Sequence, residues 1–516
     1  MTTIAEKKSK SIYWASGIVS ICGIIFEVLF GALGSYILGD GVKQYTLTIS
    51  LFLTGMGIGA SLSEKVMKQL ITSFVIIEYA VAVIGGFSSF LLFGITAYMA
   101  DGSDAFFLYF VTLLVGALTG LELPILIRKA NEIGVELNRS TARVLFSDYA
   151  GGLIGGLLFA FLLRPQFGLV KSAFLVAMIN AATAMWILFL FRREINHFKR
   201  YVTAGAFILV VLFGGVFVGE KIAFTFEQKL YRDPLILSEE TAYQHIVMTK
   251  SRDDVRLFLN GSLQFSSSDE YRYHEMLVHP PMSLARDRSN VLILGGGDGL
   301  AARELLKYDD VKQITVVDLD PRMVEIASTN PDLVKLNKHA FENERVQVVH
   351  KDAFKFMEST DEWYDVILAD LPDPNNESLN KLYTMEFYSL LRNHLKPGGK
   401  MMVQSTSPVF APKVYWTINE TIEAAQLHTE NFHVDIPSFG NWGFVMASRE
   451  EIELTPFKLK VDTKFLSEEM LSALTFFGKD EDEKFYDDQG RLLELQPNTL
   501  IHPRLITLYE QAWSHY

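Results

Sequence analysis

The residues of this 516-residue chain that could do chemistry gather where short apolar runs end. Gly295-Gly296-Gly297-Asp298-Gly299 follows the run Asn290 to Leu294, and Asp318 and Asp320 close the next run, Gln313 to Val317. Asp352 stands after Val346 to Val349. Asp370 closes Tyr364 to Ala369, with Asp373 three residues further on. Glycines let a backbone approach a nucleoside closely, and an acid ending the second strand accepts ribose hydroxyls. Asp318 follows the glycine loop by about twenty residues, the spacing that role needs. In an open parallel sheet, acids at successive strand ends converge on the cleft beyond the carboxyl edge. Any one of them alone also reads as a turn or helix-cap aspartate.

The elements that must position these acids follow from the same stretch. From about residue 235, short β-rich runs alternate with helical segments, the pattern of a parallel sheet flanked by helices. Leu395 to Gly399 is a turn before another strand, Lys400 to Gln404, and Tyr243 to Pro281 reads as a small β-hairpin region. Ahead of them, apolar stretches long enough to cross a bilayer recur at 13–38, 45–63, 70–99, 104–127, 143–164, 169–191 and 201–219. The expected fold is an N-terminal α-helical multispan membrane bundle, then a small β-hairpin region, then an α/β Rossmann-like (class I methyltransferase-like) domain. The expected boundaries are 1–221, 222–285 and 286–516, the last including a C-terminal extension without a chemical motif.

Composition narrows the function. Residues 1–221 hold 17 Lys and Arg against 13 Asp and Glu, so the net charge of −13 leaves a balance of −17 for the rest. An acidic half of that size argues against nucleic acid and suits a cationic substrate, although a soluble acidic surface has the same balance. The one cysteine, Cys22, excludes a disulfide framework and a cysteine-based metal cluster. Four acids, Glu27, Glu78, Glu122 and Asp148, fall inside the apolar spans, where a charge costs at least about 2.5–3.5 kcal/mol. They must face the bundle interior or a watery cavity, as a cation site or as carboxyls joining helices, with Asp148 close enough to Arg143 for neutralisation. Gly151, Gly152, Gly155 and Gly156, and Gly55, Gly57 and Gly59, read as close-packing surfaces between helices.

The order of landmarks from about 235 to 450 resembles the spermidine synthase family, the polyamine aminopropyltransferases. Those landmarks are Tyr243-Gln244, Leu259-Asn260-Gly261 with Gln264, Asp269-Glu270 with Tyr273-His274-Glu275, the glycine loop, Arg303-Glu304, Asp318-Leu319-Asp320-Pro321, Asp352-Ala353-Phe354, and Asp370 with Asp373-Pro374. Leu382 to Tyr388 and Ile436 to Phe444 follow in the family order, and the apolar N-terminal segment resembles that of the family's membrane-attached branch. The resemblance implies transfer of an aminopropyl group from decarboxylated S-adenosylmethionine, a co-substrate, to an amine such as putrescine, with no metal and no other cofactor. It implies that Asp370 takes the amine proton, Asp373 holds the amine and Tyr273 orients it. It implies further that Asp298 binds the donor ammonium with Gln264 nearby, Asp318 the ribose and Asp352 the adenine amino group, while Gln244 and His274 line the donor pocket. A homodimer is implied in the same way.

Departures from the family pattern bear on the amine. Leu371-Pro372 replaces the usual serine-containing stretch between the two loop acids, Asp318 stands where many relatives have Glu, and Asn260-Gly261 replaces Asp-Gly. Phe439 falls where many have an amine-contacting tyrosine. An S-adenosylmethionine methyltransferase and a polyamine transporter or sensor are the rival readings. Asp298 would repel the carboxylate of ordinary S-adenosylmethionine, and no acid precedes the glycine loop in Leu292-Ile293-Leu294. Loop charges give a conflicting topology. Basic residues lie before the first span and after the second, fourth and sixth, which puts the N-terminus in the cytoplasm and, with seven spans, the large domain outside. A donor made in the cytosol requires it inside, in a multi-pass cell-membrane protein. One miscounted span, expected at Gly85-Gly86 in the third stretch, would reconcile the two.

Overall fold

The computed structural model describes residues 4–39, 41–99, 102–455, 457–486 and 489–513. The outer ends of the expected first and last domains, residues 1–3 and 514–516, lie outside these. The chain forms two compact units, the first ending at Pro234 and the second beginning at Leu235.

The first unit is helical throughout: α1 (Ile4–Leu38), α2 (Gly41–Leu62), α3 (Leu70–Tyr98), α4 (Ser103–Glu132), α5 (Leu137–Leu158), α6 (Arg164–Leu190) and α7 (Phe198–Glu227). It runs past the expected boundary at 221 because α7 stays helical through Glu227, where Phe226 packs its ring against Phe90 and Tyr98. Among the described residues, six helices are long and apolar enough to cross a membrane by length and composition alone, with 137–190 counted as one. That stretch reverses at Gly168, whose φ of 64° and ψ of −172° break the helix. Before the break, Val144 and Asp148 lie beside Ser16 and Ser20 of α1. After it, Val176 lies beside Cys22, and Phe191, just beyond α6, lies under Lys8. So α5 runs along α1 and α6 runs back against it. The third stretch holds no miscount. Helix α3 is unbroken through Gly85 and Gly86, whose bare backbones receive the Phe26 ring and the side chains of Ala177 and Leu212.

Small residues let these helices touch through backbone. A Cβ on Gly55 or Gly59 would collide with the carbonyls of Leu113 and Ala117, and one on Gly151 or Gly155 with those of Gly17 and Ile21. Gly57 and Gly156 do not share that role, since nothing approaches them. Glu27, Glu78 and Glu122 are buried. The Glu78 carboxylate accepts a 2.7 Å bond from Asn180 and packs against Glu122. Asp148 is not neutralised by Arg143, whose guanidinium lies 5.8 Å from the centre of the Tyr13 ring. Five residues separate the two on one helix, which turns them to different faces.

The second unit opens with an antiparallel sheet, β1 (Leu235–Glu240), β2 (His245–Ser251), β3 (Asp254–Leu259) and β4 (Ser262–Ser266). Asn260 and Gly261 both take positive φ, as a tight turn between β3 and β4 requires. There follow α8 (Glu270–Leu284), β5 (Asn290–Gly295), α9 (Leu300–Leu305), β6 (Gln313–Asp318), α10 (Pro321–Thr329), α11 (Pro331–Asn337), β7 (Val346–His350), α12 (Ala353–Ser359) and β8 (Tyr364–Asp370). The unit continues through α13 (Glu377–Asn380), α14 (Met385–His394), β9 (Leu395–Gln404), α15 (Pro412–Ala424), β10 (His428–Ile436), β11 (Gly440–Ser448), α16 (Met470–Ala473) and α17 (Leu505–Trp513). The turn expected at 395–399 is absorbed into the start of β9.

The central sheet has the order β10-β11-β9-β8-β5-β6-β7, with every pairing parallel except the two made by β11, which runs against both β10 and β9. Its inner strands are covered on both faces, so Val291 to Leu294 are fully buried and read as a continuous apolar run. From β5 the chain winds outward to β6 and β7, then returns to β8 and β9 on the other side. The crevice between β5 and β8 is therefore the switch point where such sheets bind ligands.

Candidate active site

The glycine loop and the strand-end acids meet at that switch point. Gly295 pairs with Asp370 across the β5–β8 register. A Cβ on Gly295 would strike the Asp370 carbonyl, and one on Gly297 would lie 2.5 Å from an Asp318 carboxylate oxygen. Only a side-chain-free backbone lets β5, β6 and β8 present their ends together. Asp318 accepts a 2.9 Å bond from the Asp320 amide, and Asp298 a 2.9 Å bond from the Leu300 amide at the start of α9. Asp370 Oδ1 accepts a 2.6 Å bond from the Tyr273 hydroxyl. Asp373 Oδ2 accepts a 2.9 Å bond from Thr406, and its Oδ1 a 3.2 Å bond from Gln404.

Each residue of the Asp269–Glu275 stretch has a structural task. Asp269 accepts from the backbone and hydroxyl of Ser438, at 2.6 and 2.9 Å, joining α8 to the β10–β11 turn. Glu270 takes a bidentate bond from Arg303, at 2.8 and 2.9 Å, and lies 2.8 Å from His274 Nδ1. Glu275 accepts from the amides of Lys464, Phe465 and Leu466, at 2.6, 2.9 and 2.9 Å, and pins the segment after β11. Tyr273 and His274 are buried, so His274 is no helix-surface residue. Glu304 is held by Arg303, His279 and Lys307.

The electrostatics follow from burial. Desolvation is the main force pushing Asp298 up to about 6, helped by the Asp370 charge, and desolvation also pushes Asp318 up to about 6. Asp370 and Asp373 are raised by burial as well. Burial alone would discharge His274. The Glu270 carboxylate overcomes it and, with the Asp298 and Asp370 charges, lifts the imidazole to about 9. At neutral pH one fixed cation therefore faces several desolvated carboxylates. Tyr273 stays a phenol, raised by burial and by the Asp370 charge, and so remains a donor to that carboxylate.

Three expected residues are not drawn into this cluster. The Gln244 amide donates at 3.0 Å to Asp320, which also binds Thr241. Gln264 is half-buried on β4 and donates to the Ser262 carbonyl. Asp352 caps α12 and pairs with Lys381 at 2.6 Å, at the carboxyl end of β7. Residues missed in the sequence were Asp320, Glu270, Gln404 and Thr406. Asp320 and Glu270 stood inside quoted stretches, whereas Gln404 ended an expected strand and carried no motif. Among the described residues, no group of three or more His, Cys, Asp or Glu is placed to hold a metal ion.

Asp298 and Asp318 titrate above the ordinary carboxylate range. The stability tied to them is thus full at acid pH and lost as pH rises through about 6. A cationic ligand reverses the preference, because it binds the ionised forms. Calorimetric affinity for the expected sulfonium donor is predicted to weaken as pH falls through about 6. A flat affinity from about pH 5 to pH 8 would contradict this assignment of charge.

In sequence the chain is similar to proteins of one family. The Spermine/spermidine synthase domain model matches residues 270–458. The polyamine aminopropyltransferase of Oceanobacillus iheyensis is 66% identical over 99% of both chains. That of Streptomyces coelicolor is 41% identical over 96% of this chain and 93% of its own, and that of Mycobacterium tuberculosis 34% over 98% of each. A spermidine synthase crystallised with the transition-state analogue AdoDATO covers 47% of this chain and 85% of its own at 26% identity, with a TM-score of 0.45. The chain belongs to the polyamine aminopropyltransferase family.

Proposed function

We propose that the second unit makes spermidine or a close relative by direct displacement, with Asp370 as general base. The donor is decarboxylated S-adenosylmethionine, bound as a co-substrate, and the acceptor a linear diamine such as putrescine. The amine lone pair forms a bond to the aminopropyl carbon beside the sulfonium. The carbon–sulfur bond breaks, its electrons leave sulfur as a neutral thioether, and the amine proton passes to Asp370. A free amine is protonated at neutral pH, so a desolvated carboxylate beside the attacking nitrogen is what the step needs. The observation that carries this reading is the 2.6 Å bond from Tyr273 to Asp370 at the glycine-loop crevice. It orients the base and leaves Oδ2 for the substrate.

On this reading Asp298 holds the donor ammonium, Asp318 the ribose, Asp373 the amine and Asp352 the adenine edge. Gln244, tied to Asp320, supports the ribose side, His274 walls the donor pocket and Gln264 closes its hairpin edge. Asp298 also rejects the carboxylate of ordinary S-adenosylmethionine, which favours aminopropyl transfer over methylation. Asp370→Asn is predicted to lower kcat by about 10²–10⁴-fold, with donor affinity and thermal midpoint near wild type. Turnover like wild type in that variant would remove Asp370 from the chemistry, as a binding-only sensor requires.

We propose also that the first unit crosses the cell membrane and that the catalytic unit faces the cytoplasm, where the donor is made. The apolar lengths of the helices and the burial of Glu27, Glu78 and Glu122 support the first statement. Donor supply supports the second against the loop charges, and the reversal at Gly168 leaves an odd count. A homodimer is proposed on the family resemblance alone. Reporter fusions after residue 234 are expected to report a cytoplasmic second unit, and an external signal would overturn that placement.

A further inference from the structure

The first unit holds a cavity of about 280 Å³ between α1, α2, α4 and α5. Its polar lining consists of acceptors. Glu122 reaches it from α4 and Asp148 from α5. Glu122 is 4% exposed, yet among the described residues no amide, hydroxyl or basic side chain donates to it. The Thr119 hydroxyl donates to the Val115 carbonyl at 2.7 Å, and the Ser16 hydroxyl to the Val144 carbonyl at 3.4 Å. Both line the cavity, and with their protons engaged they offer it only lone pairs. Pro124 has no N–H, so the Gly120 carbonyl, one turn back in α4, lacks its helical bond, and both residues border the same space. The basic side chains of these helices are engaged elsewhere. Arg128 donates to the carbonyls of Ser63, Val66 and Pro124, Lys129 pairs with Glu132 and Glu194, and Arg143 lies over the Tyr13 ring.

We propose that this cavity is a binding site for a linear alkylamine, with one ammonium group on Glu122 and a second on Asp148. A space lined by acceptors alone is complemented by a ligand that brings only donors, and an ammonium group brings three. Two carboxylates facing apolar walls are costly without a counter-charge, and no side chain of this unit supplies one. The remaining wall suits methylenes. Val19, Met56, Leu123 and Leu126 form it, whereas a bare metal ion would draw oxygen ligands from every side. The volume lies near the lower end, about 300 Å³, of small-molecule sites, enough for one short chain. The space is also not closed by helix packing. Gly55 and Gly59 press on the backbone of α4, but Gly57, between them, borders the cavity, and a Cβ there would meet nothing within 4 Å. Amines of this class are what the second unit aminopropylates, so acceptor and product are both at hand. The proposal rests on the first unit alone and not on the roles given to the strand-end acids.

Equilibrium dialysis of labelled spermidine against the full-length protein in detergent micelles tests the proposal. Wild type is expected to bind one equivalent more than Glu122→Gln, Asp148→Asn or Gly57→Leu. The first two remove a counter-charge at constant shape and are expected to weaken that site about tenfold or more. Gly57→Leu fills the space without removing a polar group. Glu27→Gln changes a buried acid that does not line the cavity and is expected to keep the extra equivalent. Each variant is expected to retain wild-type kcat for aminopropyl transfer and the wild-type thermal midpoint, which certifies its fold and separates this site from the catalytic one. Equal stoichiometry in wild type, Glu122→Gln and Gly57→Leu would overturn the proposal and leave the two acids as carboxyls that join helices. Loss of the extra equivalent when potassium chloride replaces choline chloride at equal ionic strength would overturn it in favour of a metal cation.

Discussion

Desolvation of like charges governs the second unit. Asp298, Asp318, Asp370 and Asp373 sit at the carboxyl edge of one sheet, three of them at the strand ends that the glycine loop allows to converge. Bringing several carboxylates together out of water is unfavourable, and burial raises the proton affinity of all four. The fold tolerates this because His274, held as a cation by Glu270, sits among them, and because Glu270 is itself fixed by Arg303. The carboxylate cluster therefore favours positive charge beside it. Two cationic small molecules, a sulfonium nucleoside and an amine, are what it is built to gather.

The scaffold serves that constraint at each level. Apolar strands buried on both faces make the sheet rigid, and the winding from β5 outward and back leaves the crevice open. Helix α8 then delivers Tyr273 to Asp370 and His274 into the field of Asp298 and Asp370 from successive positions, while Asp269 and Glu275 tether its flanks to the β10–β11 turn and to the segment after β11. Gln404, which ends β9, and Thr406, just beyond it, donate to Asp373 and fix that carboxylate. The helical first unit obeys different rules, with backbone contact at glycines and with Glu27, Glu78 and Glu122 buried between its helices.

What the sequence made legible was local. Strand, glycine loop and terminal acid are contiguous, so the β5–α9–β6 unit and the acids Asp298, Asp318 and Asp370 could be read directly from spacing. Asp373 followed because three residues past a strand end stay in the same loop. The partners of those acids were not legible. Gln404 and Thr406 stand 31 and 33 residues beyond Asp373, and no periodicity marks either as a carboxylate donor. Gln244, expected in the donor pocket from the family resemblance, donates to Asp320, a contact visible only in three dimensions. In the first unit, hydropathy located the helices but could not see that Gly168 turns one long helix back on itself, nor that Gly57 and Gly156 face open space.

The most direct test of the electrostatic account is a crystal structure of the protein with decarboxylated S-adenosylmethionine and a slowly reacting diamine. The account predicts the ribose on Asp318, the donor ammonium against Asp298, and the diamine nitrogen within hydrogen-bond reach of Asp370, between the sulfonium carbon and the Tyr273 hydroxyl. A nucleoside bound away from the glycine loop, or an amine nitrogen turned from Asp370, would contradict it.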